Sequence, residues 1–261
     1  MNSQNSSQTI PNKPNPLKCP LDSKCYFSFA CSSICNKKKN YKPGLLSFKK
    51  GDVLFKAMGN EESTFIILSG VASAISHLPS GEVVTICLLG KSYTIGEIEP
   101  FFTQKIYYVI QALTPMTVCQ IRTHDLVYLV DENPSLLKQV ISAVENNSHA
   151  FARQLWVMNA QRVHERIKRF LSVFIKMSGN NHAEPLVCLS HDELAVLINT
   201  DRPSVTRALH KLEEEGFVKL GYKKLKVIGH LPTEDLDLNL NFRFDPLSRN
   251  ISLLENGHTI K

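Results

Sequence analysis

The segment from Leu189 to Gly229 constrains the fold more than any other part of the chain. It begins LSHDELAVLINTDRPSV. Ser190 stands three residues before Glu193, which is the spacing of a capping box at the start of a helix. Apolar residues at positions 194, 197 and 198 form one helical face, and the polar stretch Asn199–Asp201 favours a turn. The pattern therefore predicts a short helix that ends in a tight turn.

A second helix and a hairpin are predicted directly after this turn. Pro203 suits the first turn of a helix, and apolar residues recur at helical spacing from Val205 to Leu212. Gly216 is typical of a helix end. The following residues, FVKLGYKKLKVI, read as a small β-hairpin. Two short helices joined by a tight turn and followed by a hairpin predict a winged helix-turn-helix domain over residues 161–229.

Such a domain binds double-stranded DNA through the first turns of its second helix, which enter the major groove. Arginine can bond guanine O6 and N7 together, while serine and threonine reach bases or phosphates. Lysines on the hairpin are better placed for phosphates. The net charge of +6 is compatible with a polyanionic partner. The predicted DNA-binding residues are Arg202, Ser204, Val205, Thr206, Arg207, Lys219, Lys223 and Lys224.

The chain from residue 45 to residue 132 has a different pattern of apolar and turn-forming residues. Short apolar runs alternate there with turn signals that contain glycine, proline or serine, and the runs lie at residues 53–55, 65–68, 83–89, 107–113 and 117–121. Many short strands at even spacing predict an antiparallel sandwich or barrel. We assign residues 45–132 to this β domain.

A long helix is predicted over residues 133–160, where Pro134 suits its first turn. Apolar residues recur there at steps of four and three through about three heptads, with Ser148 as the one polar member. A narrow apolar stripe on a long helix predicts a homodimer contact, and the alternative is that the stripe packs on the chain's own β domain. The predicted dimer residues are Leu137, Ile141, Val144, Phe151, Leu155 and Met158.

The order of these parts resembles the CRP/FNR superfamily of bacterial transcription factors. The segments that carry the resemblance are KKGDVLF at 49–55, FIILSGVA at 65–72, IGEIEPF at 95–101 and TDRPSVTRALHKLEEEGFV at 200–218. The resemblance implies an α+β fold with an N-terminal cyclic-nucleotide-binding-like antiparallel β-roll, a long dimerisation helix and a C-terminal winged helix-turn-helix. It implies promoter DNA as a partner and makes RNA polymerase a plausible one.

The resemblance also assigns roles at the DNA end. Arg202 and Arg207 occupy family positions that contact the operator. The family often has glutamate where this chain has Pro203, and proline offers no hydrogen bond to a base. We therefore expect the readout of that base pair to differ.

The β domain is not expected to bind cyclic AMP. Family members that bind it carry an Arg-Ser pair after the G-E-[LI] motif. The corresponding residues 96–112 are GEIEPFFTQKIYYVIQA and contain no arginine. A phosphate needs a fixed cation or a ring of N–H donors, so another signal is expected.

Four cysteines crowd the N-terminal part of the chain, at positions Cys19, Cys25, Cys31 and Cys35. The preceding residues 1–17 predict a disordered arm and contain no apolar signal-peptide core, so we expect a cytoplasmic protein without a membrane segment. Permanent disulfides are rare in that compartment. The cysteine-rich segment, residues 18–44, is therefore interpreted as a metal site, an iron-sulfur site or a redox-sensitive group of thiols.

A 4Fe-4S iron-sulfur cluster is one candidate for this segment. Fumarate-nitrate-type oxygen sensors bind such a cluster through N-terminal cysteines and one cysteine late in the β-roll, and Cys119 in MTVCQI stands at the matching place. The spacing here is C-x5-C-x5-C-x3-C, whereas the family spacing is usually C-x2-C-x5-C. A thiol–disulfide switch and a structural zinc site are the alternatives for the same thiols.

An organic effector is the second candidate signal, and it would need no cofactor. NYKPGLLSFKKGD at 40–52, IYYVIQALTPMTVC at 106–119 and FARQLWVMN at 151–159 resemble regulators that sense halogenated phenols in organohalide-respiring anaerobes. In those proteins an aromatic molecule lies between the β-roll and the dimer helix. The candidate pocket residues are Gly96, Glu97, Phe101, Tyr107, Tyr108, Asn147 and Phe151.

An enzymatic function is not expected. The chain has nine histidines and seven cysteines, but no H-E-x-x-H or C-x2-C pairing. The remaining residues, 230–261, are polar, contain two prolines and predict an irregular tail.

Overall fold

The structure is a computed structural model of the 261-residue chain. It describes residues 44–56, 63–96, 108–132, 134–179 and 182–232, and the backbone of three strands between 241 and 259. The predicted arm at 1–17 lies outside the described residues. So does the cysteine-rich segment at 18–44, apart from Gly44.

The N-terminal domain is built from eight strands, which are β1 Gly44–Phe48, β2 Val53–Lys56, β3 Ser63–Ser69, β4 Ala72–His77, β5 Val83–Leu89, β6 Thr94–Ile95, β7 Val109–Ala112 and β8 Met116–Arg122. They form two antiparallel sheets of four strands each, with the orders β1-β8-β3-β6 and β2-β7-β4-β5. Apolar side chains from both sheets, among them Phe65, Ile67, Ile110 and Val118, meet in one core. The antiparallel β domain predicted from the spacing of apolar runs is thus confirmed.

A helix that the sequence analysis did not predict, α1 (Thr123–Glu132), follows β8. Its Leu126 is fully buried beside Ile121 of the sheet. Asp125 is also buried, and its carboxylate accepts a hydrogen bond of 2.7 Å from Arg122 Nε. Leu126, Leu129 and Val130 stand at the i, i+3, i+4 spacing of a helix, although the sequence analysis assigned the segment to the β domain. The spacing and the contact of Leu126 with the sheet together favour the helix.

Helix α2 (Leu136–Met158) has two apolar faces. One face is buried and packs on the β-roll, as Leu136, Val140, Ala143 and Ala150 show. The predicted seam lies on the other side, where Leu137, Ile141, Phe151 and Leu155 are all exposed. The alternative that this stripe packs on the chain's own β domain is therefore wrong for these four residues.

The last two seam residues differ from their neighbours. Val144 is half-buried, and Met158 packs against the core of the chain's own C-terminal domain. Met158 therefore already has contacts within one chain.

The C-terminal domain has the predicted winged helix-turn-helix architecture. Its elements are α3 Val163–Ser178, β9 Leu186–Val187, α4 His191–Leu197, α5 Arg202–Glu214, β10 Val218–Gly221 and β11 Lys224–Val227. Helices α4 and α5 pack on α3, and the largest side chain that is fully buried in this core is Phe170. Strand β9 was not predicted; it extends the hairpin to a three-stranded sheet of order β10-β11-β9.

The end of the chain corrects the prediction of an irregular tail. Three antiparallel strands lie there, β12 (Asn241–Asp245), β13 (Asn250–Glu255) and β14 (His258–Thr259). The segment NFRF alternates polar and apolar residues, which is the pattern of an antiparallel strand. The irregular tail was predicted from the polar composition and the two prolines of this region, and the alternation of polar and apolar residues was not used.

Candidate functional site

The recognition helix α5 is held in place by well-capped neighbours. Ser190 Oγ accepts a hydrogen bond of 3.2 Å from Glu193 N, and Ser190 N donates to Glu193 Oε2 at 2.6 Å, so the predicted capping box is present at the start of α4. Asp201 is the N-cap of α5 and accepts a bond of 2.8 Å from Ser204 N. Both helices of the motif therefore begin at defined residues.

One face of α5 belongs to the domain core. Val205, Leu209 and Leu212 are fully buried and pack against α3 and α4. The assignment of Val205 as a DNA-binding residue is therefore wrong, because position 205 shares a helical face with positions 209 and 212. Its role is to fix the helix, and the polar residues on the other side remain available to DNA.

The exposed face of α5 presents two arginines. Arg207 Nη2 donates a 3.0 Å hydrogen bond to Ser204 Oγ, which orients the guanidinium along the helix. Arg202 Nε lies 3.5 Å from Asp192 Oδ1, and both side chains are about two-thirds exposed, at 65% and 67%. An exposed ion pair of this kind contributes little free energy. Arg202 can therefore exchange it for a nucleotide.

Two histidines near this face were missed by the sequence analysis. His191 Nδ1 lies 2.9 Å from Thr206 Oγ1, and His210 lies one turn after Thr206 with an exposed side chain. Burial lowers the pKa of His191, as do the nearby His210 and Arg202, while Asp192 raises it. A neutral His191 ring can accept a hydrogen bond from the Thr206 hydroxyl. The spacing 203, 206, 207 and 210 was the signal that could have revealed His210.

The hairpin of β10 and β11 forms the wing. Its tip consists of Tyr222, which is 85% exposed, and Lys223, which has a left-handed backbone with φ +53°. The Lys223 ammonium lies 5.5 Å from the centroid of the Tyr222 ring. Lys219 and Lys224 are exposed beside the tip. All three predicted wing lysines are thus open to solvent, where they can meet phosphates.

The predicted effector pocket is only partly described. Glu97, Phe101 and Tyr107 lie outside the described residues, while Tyr108 is half-buried and packs against the β-roll core. Phe151 lies on the exposed stripe of α2. Gly96 has a left-handed backbone, and its carbonyl accepts a 3.1 Å hydrogen bond from Thr64 Oγ1.

A polar contact does join the β-roll to α2 near this region. Asn147 Nδ2 donates to Thr94 O at 2.9 Å, and Arg153 bonds the hydroxyl of the buried Tyr93. Helix α2 is thereby linked directly to β6.

The described cysteines differ in environment. Cys119 is 5% exposed and packs with apolar residues of the sheet, α1 and α2. Cys188 is exposed. Burial raises the pKa of Cys87 to about 12, so this thiol stays protonated and is unsuited to redox chemistry. Cys19, Cys25, Cys31 and Cys35 lie outside the described residues. Within the described ranges, no three or more His, Cys, Asp or Glu side chains come together as a metal site.

Comparison with known proteins agrees with this architecture. Residues 45–133 match the cyclic nucleotide-binding domain and residues 165–229 match the Crp-like helix-turn-helix domain. Over 187 residues the chain is 26% identical to the transcriptional regulator SdrP of Thermus thermophilus, covering 70% of this chain and 89% of that relative. Over 192 residues it is 21% identical to the global nitrogen regulator of Nostoc sp., covering 72% and 86% of the two chains.

A similar fold occurs among solved structures. A CRP-family transcriptional regulator of Thermus thermophilus superposes with a TM-score of 0.60 at 17% identity, and the match covers 70% of this chain and 92% of that one. A β-roll, a long helix and a winged helix-turn-helix with exposed arginines define a DNA-binding transcription regulator. The chain belongs to the CRP/FNR family, whose members are transcription regulators and not enzymes, and are typically dimers. None of the described helices is long and apolar enough to cross a membrane.

Proposed function

We propose that the chain is a homodimeric, sequence-specific regulator that binds promoter DNA in the cytoplasm and answers a redox or small-molecule signal. The arrangement of α5 carries the DNA part of this proposal. Its leucines are buried in the domain, while Arg202 and Arg207 stand on the opposite face. The exposed stripe of α2 supports a symmetric dimer, which would present two such helices to two half-sites.

The two kinds of DNA contact make separate predictions. Arg207→Ala is expected to weaken operator binding by about 1–3 kcal/mol and to reduce discrimination at one base pair, because it removes a guanidinium from the recognition helix. Lys224→Ala is expected to weaken binding to all duplexes alike and to reduce the salt slope by about one. Fluorescence anisotropy on an operator and on base-pair variants, at several salt concentrations, measures both effects. Equal behaviour of the two variants would mean that α5 does not read bases.

The redox signal is assigned to the cysteine-rich segment together with Cys119. Strand β1 begins nine residues after Cys35, and its Leu45 pairs with Cys119 on β8. The chain therefore enters the β-roll beside Cys119. The lysines among the N-terminal cysteines favour the thiolate form, which both iron-sulfur ligation and thiol oxidation require. A cluster held by some of these five thiols would link the N-terminal segment to the sheet next to α2.

The test compares wild type with a variant in which Cys19, Cys25, Cys31 and Cys35 are all serine. We expect operator affinity of anaerobically purified wild type to change on exposure to air, and that of the variant to stay constant. Iron and sulfide analysis with the visible spectrum, which has a broad band near roughly 400 nm for a cubane cluster, separates a cluster from a thiol switch. Zinc in a colourless protein would indicate a structural site. Equal responses of wild type and variant would contradict redox sensing by these cysteines.

An organic effector is the second candidate, and the contact between Asn147 and Thr94 favours it. A ligand in the β-roll that shifted β6 would act on α2 through this hydrogen-bonded pair. If exposure to air leaves the operator affinity of wild type and of the cysteine variant unchanged, an effect of a halogenated phenol on that affinity would support the organic-effector hypothesis. Cyclic AMP, in contrast, is expected to leave affinity unchanged.

A further inference from the structure

The turn between α4 and α5 contains an unusual backbone residue. Asn199 has φ +49°, the left-handed region that residues with a Cβ seldom adopt. Asparagine tolerates this region better than most residues. It stands two residues before Asp201, the N-cap of α5. Whatever holds the Asn199 side chain therefore also holds the start of the recognition helix.

The Asn199 side chain is bound by the other domain. Its Oδ1 accepts a 2.8 Å hydrogen bond from Thr85 N, and its Nδ2 donates to Thr85 O at 3.1 Å. Thr85 lies on β5, which is an edge strand of its sheet. The pairing of β4 with β5 shifts register between Ala74 and Ile75, and Ile75 is the partner of Thr85. The amide thus pairs with the N–H and the C=O of one residue on an open, locally irregular sheet edge, as a neighbouring strand would.

The last carbonyls of α4 are bound in the same region by three different elements. Val196 O accepts a 2.9 Å bond from the Thr85 hydroxyl, and Leu197 O accepts one of 3.3 Å from the buried Gln154 on α2. Ile198 O accepts a 3.2 Å bond from Arg166 Nη1 on α3. The final carbonyls of a helix lack partners within the helix. Here the β-roll, the dimer helix and α3 supply them, so the turn is tied to all three.

We propose that Asn199 is a positioning residue for DNA binding, which sets the separation of the two recognition helices by clamping the turn before α5 onto β5. Two half-sites of an operator lie about 34 Å, or one helical turn, apart. A dimer fits that separation only if each α5 is fixed relative to the shared α2 axis. The inference rests on the dimeric, operator-binding function proposed above.

The test uses Asn199→Gly in the full-length chain. Glycine adopts the left-handed backbone at no steric cost, so this change removes the amide and spares the turn. The probe is a palindromic duplex selected by wild type from random DNA, resynthesised with its half-site separation changed by one or two base pairs in either direction. We expect wild type to bind the duplex with its preferred separation at least about tenfold more tightly than the other duplexes. The affinities of the variant for these duplexes are expected to lie within about threefold of each other, since each lost hydrogen bond is worth a factor of about five.

A single half-site duplex separates a positioning role from a merely structural one. A merely structural role would weaken binding to this duplex, whereas the affinity of the variant for it is expected to equal that of wild type. The proposal would be overturned if the variant lost as much affinity for the single half-site duplex as for the palindrome. It would also be overturned if the affinity of the variant depended on half-site separation as that of wild type does. Asn199→Asp is the second variant; it keeps the size and one acceptor but cannot donate to Thr85 O, and it should flatten the profile as well. A folded aspartate variant with the wild-type profile would also overturn the clamp.

The matched control is Lys50→Ala. Lys50 of the β-roll bonds Cys188 O and Glu193 across the same two domains at 2.7 Å each, but its side chain is 36% exposed. These contacts hold the start of α4 and not the turn before α5, so the control should keep the wild-type spacing profile. Equal flattening by Lys50→Ala would contradict the specific role of Asn199. Failure of wild type to select any palindrome would instead refute the proposed function, so the two failures are distinguishable.

Discussion

Replacing Ile141 and Phe151 together by aspartate is expected to convert a dimer into a monomer and to weaken operator binding by at least about 100-fold, which is the usual scale of avidity from two linked sites. The two side chains are 59% and 48% exposed in the single chain. Both side chains are already about half-buried, so covering the rest in a partner contact would contribute about half of the 1.5–3 kcal/mol that full burial of such a side chain gives. Four carboxylates in the resulting seam would repel each other in a region of low dielectric. Sedimentation velocity and fluorescence anisotropy measure the two effects.

The control for this prediction is Lys138→Asp on the same helix. Lys138 is exposed but stands outside the seam of apolar residues. The Lys138→Asp substitution introduces the same carboxylate without removing an apolar contact, so the dimer should persist. Circular dichroism of the double aspartate variant should match wild type, because both replaced residues lie away from the buried face of α2. A dimer that survives the double substitution would place the interface on another surface.

The winged helix-turn-helix could be predicted because its signals are local. The capping box at Ser190 and Glu193 and the stop at Gly216 each depend on residues within one or two turns, and the structure contains the capping box and a left-handed Gly216. The β-roll was predictable for a related reason. Short apolar strands with turn residues between them have few other ways to bury their surfaces.

The wrong predictions have different causes. Helix α1 was missed because its apolar segment was assigned to the β domain, although Leu126 and Val130 stand at helical spacing and both pack on the core beside the sheet. Val205 was named as a DNA-binding residue although it lies on the apolar face of its helix with Leu209 and Leu212, and the structure buries that face. The strands after residue 240 pair with each other, which two prolines obscured.

The clamp between Thr85 and Asn199 shows the limit of sequence patterns more clearly. The two residues are 114 positions apart, and neither stands in a motif that indicates the other. Asn199 in a turn satisfies the ordinary preference for asparagine there. Only the fold shows that its amide reaches across to the edge of another domain.

The second large effect concerns the stability of the recognition helix, through Leu209→Ala. Leu209 is fully buried in the core shared by α3, α4 and α5. Truncating such a leucine loses transfer free energy and leaves a cavity, which together cost about 2–5 kcal/mol. The site has little room to collapse, because Val205 and Leu212 on the same face are also fully buried. The cost is expected near the upper part of that range.

The measurement is urea unfolding followed by the fluorescence of Trp156, the single tryptophan of the chain. Trp156 packs on the edge of the same core, with the Arg169 guanidinium 5.1 Å from its ring, so its signal reports that core. Glu214→Ala at the exposed end of α5 is the control and should change the free energy of unfolding by no more than about 0.5 kcal/mol. A loss below about 1 kcal/mol for Leu209→Ala, measured on a folded variant, would mean that α5 is not anchored by this core and that its DNA-facing side is not fixed by the packing described above.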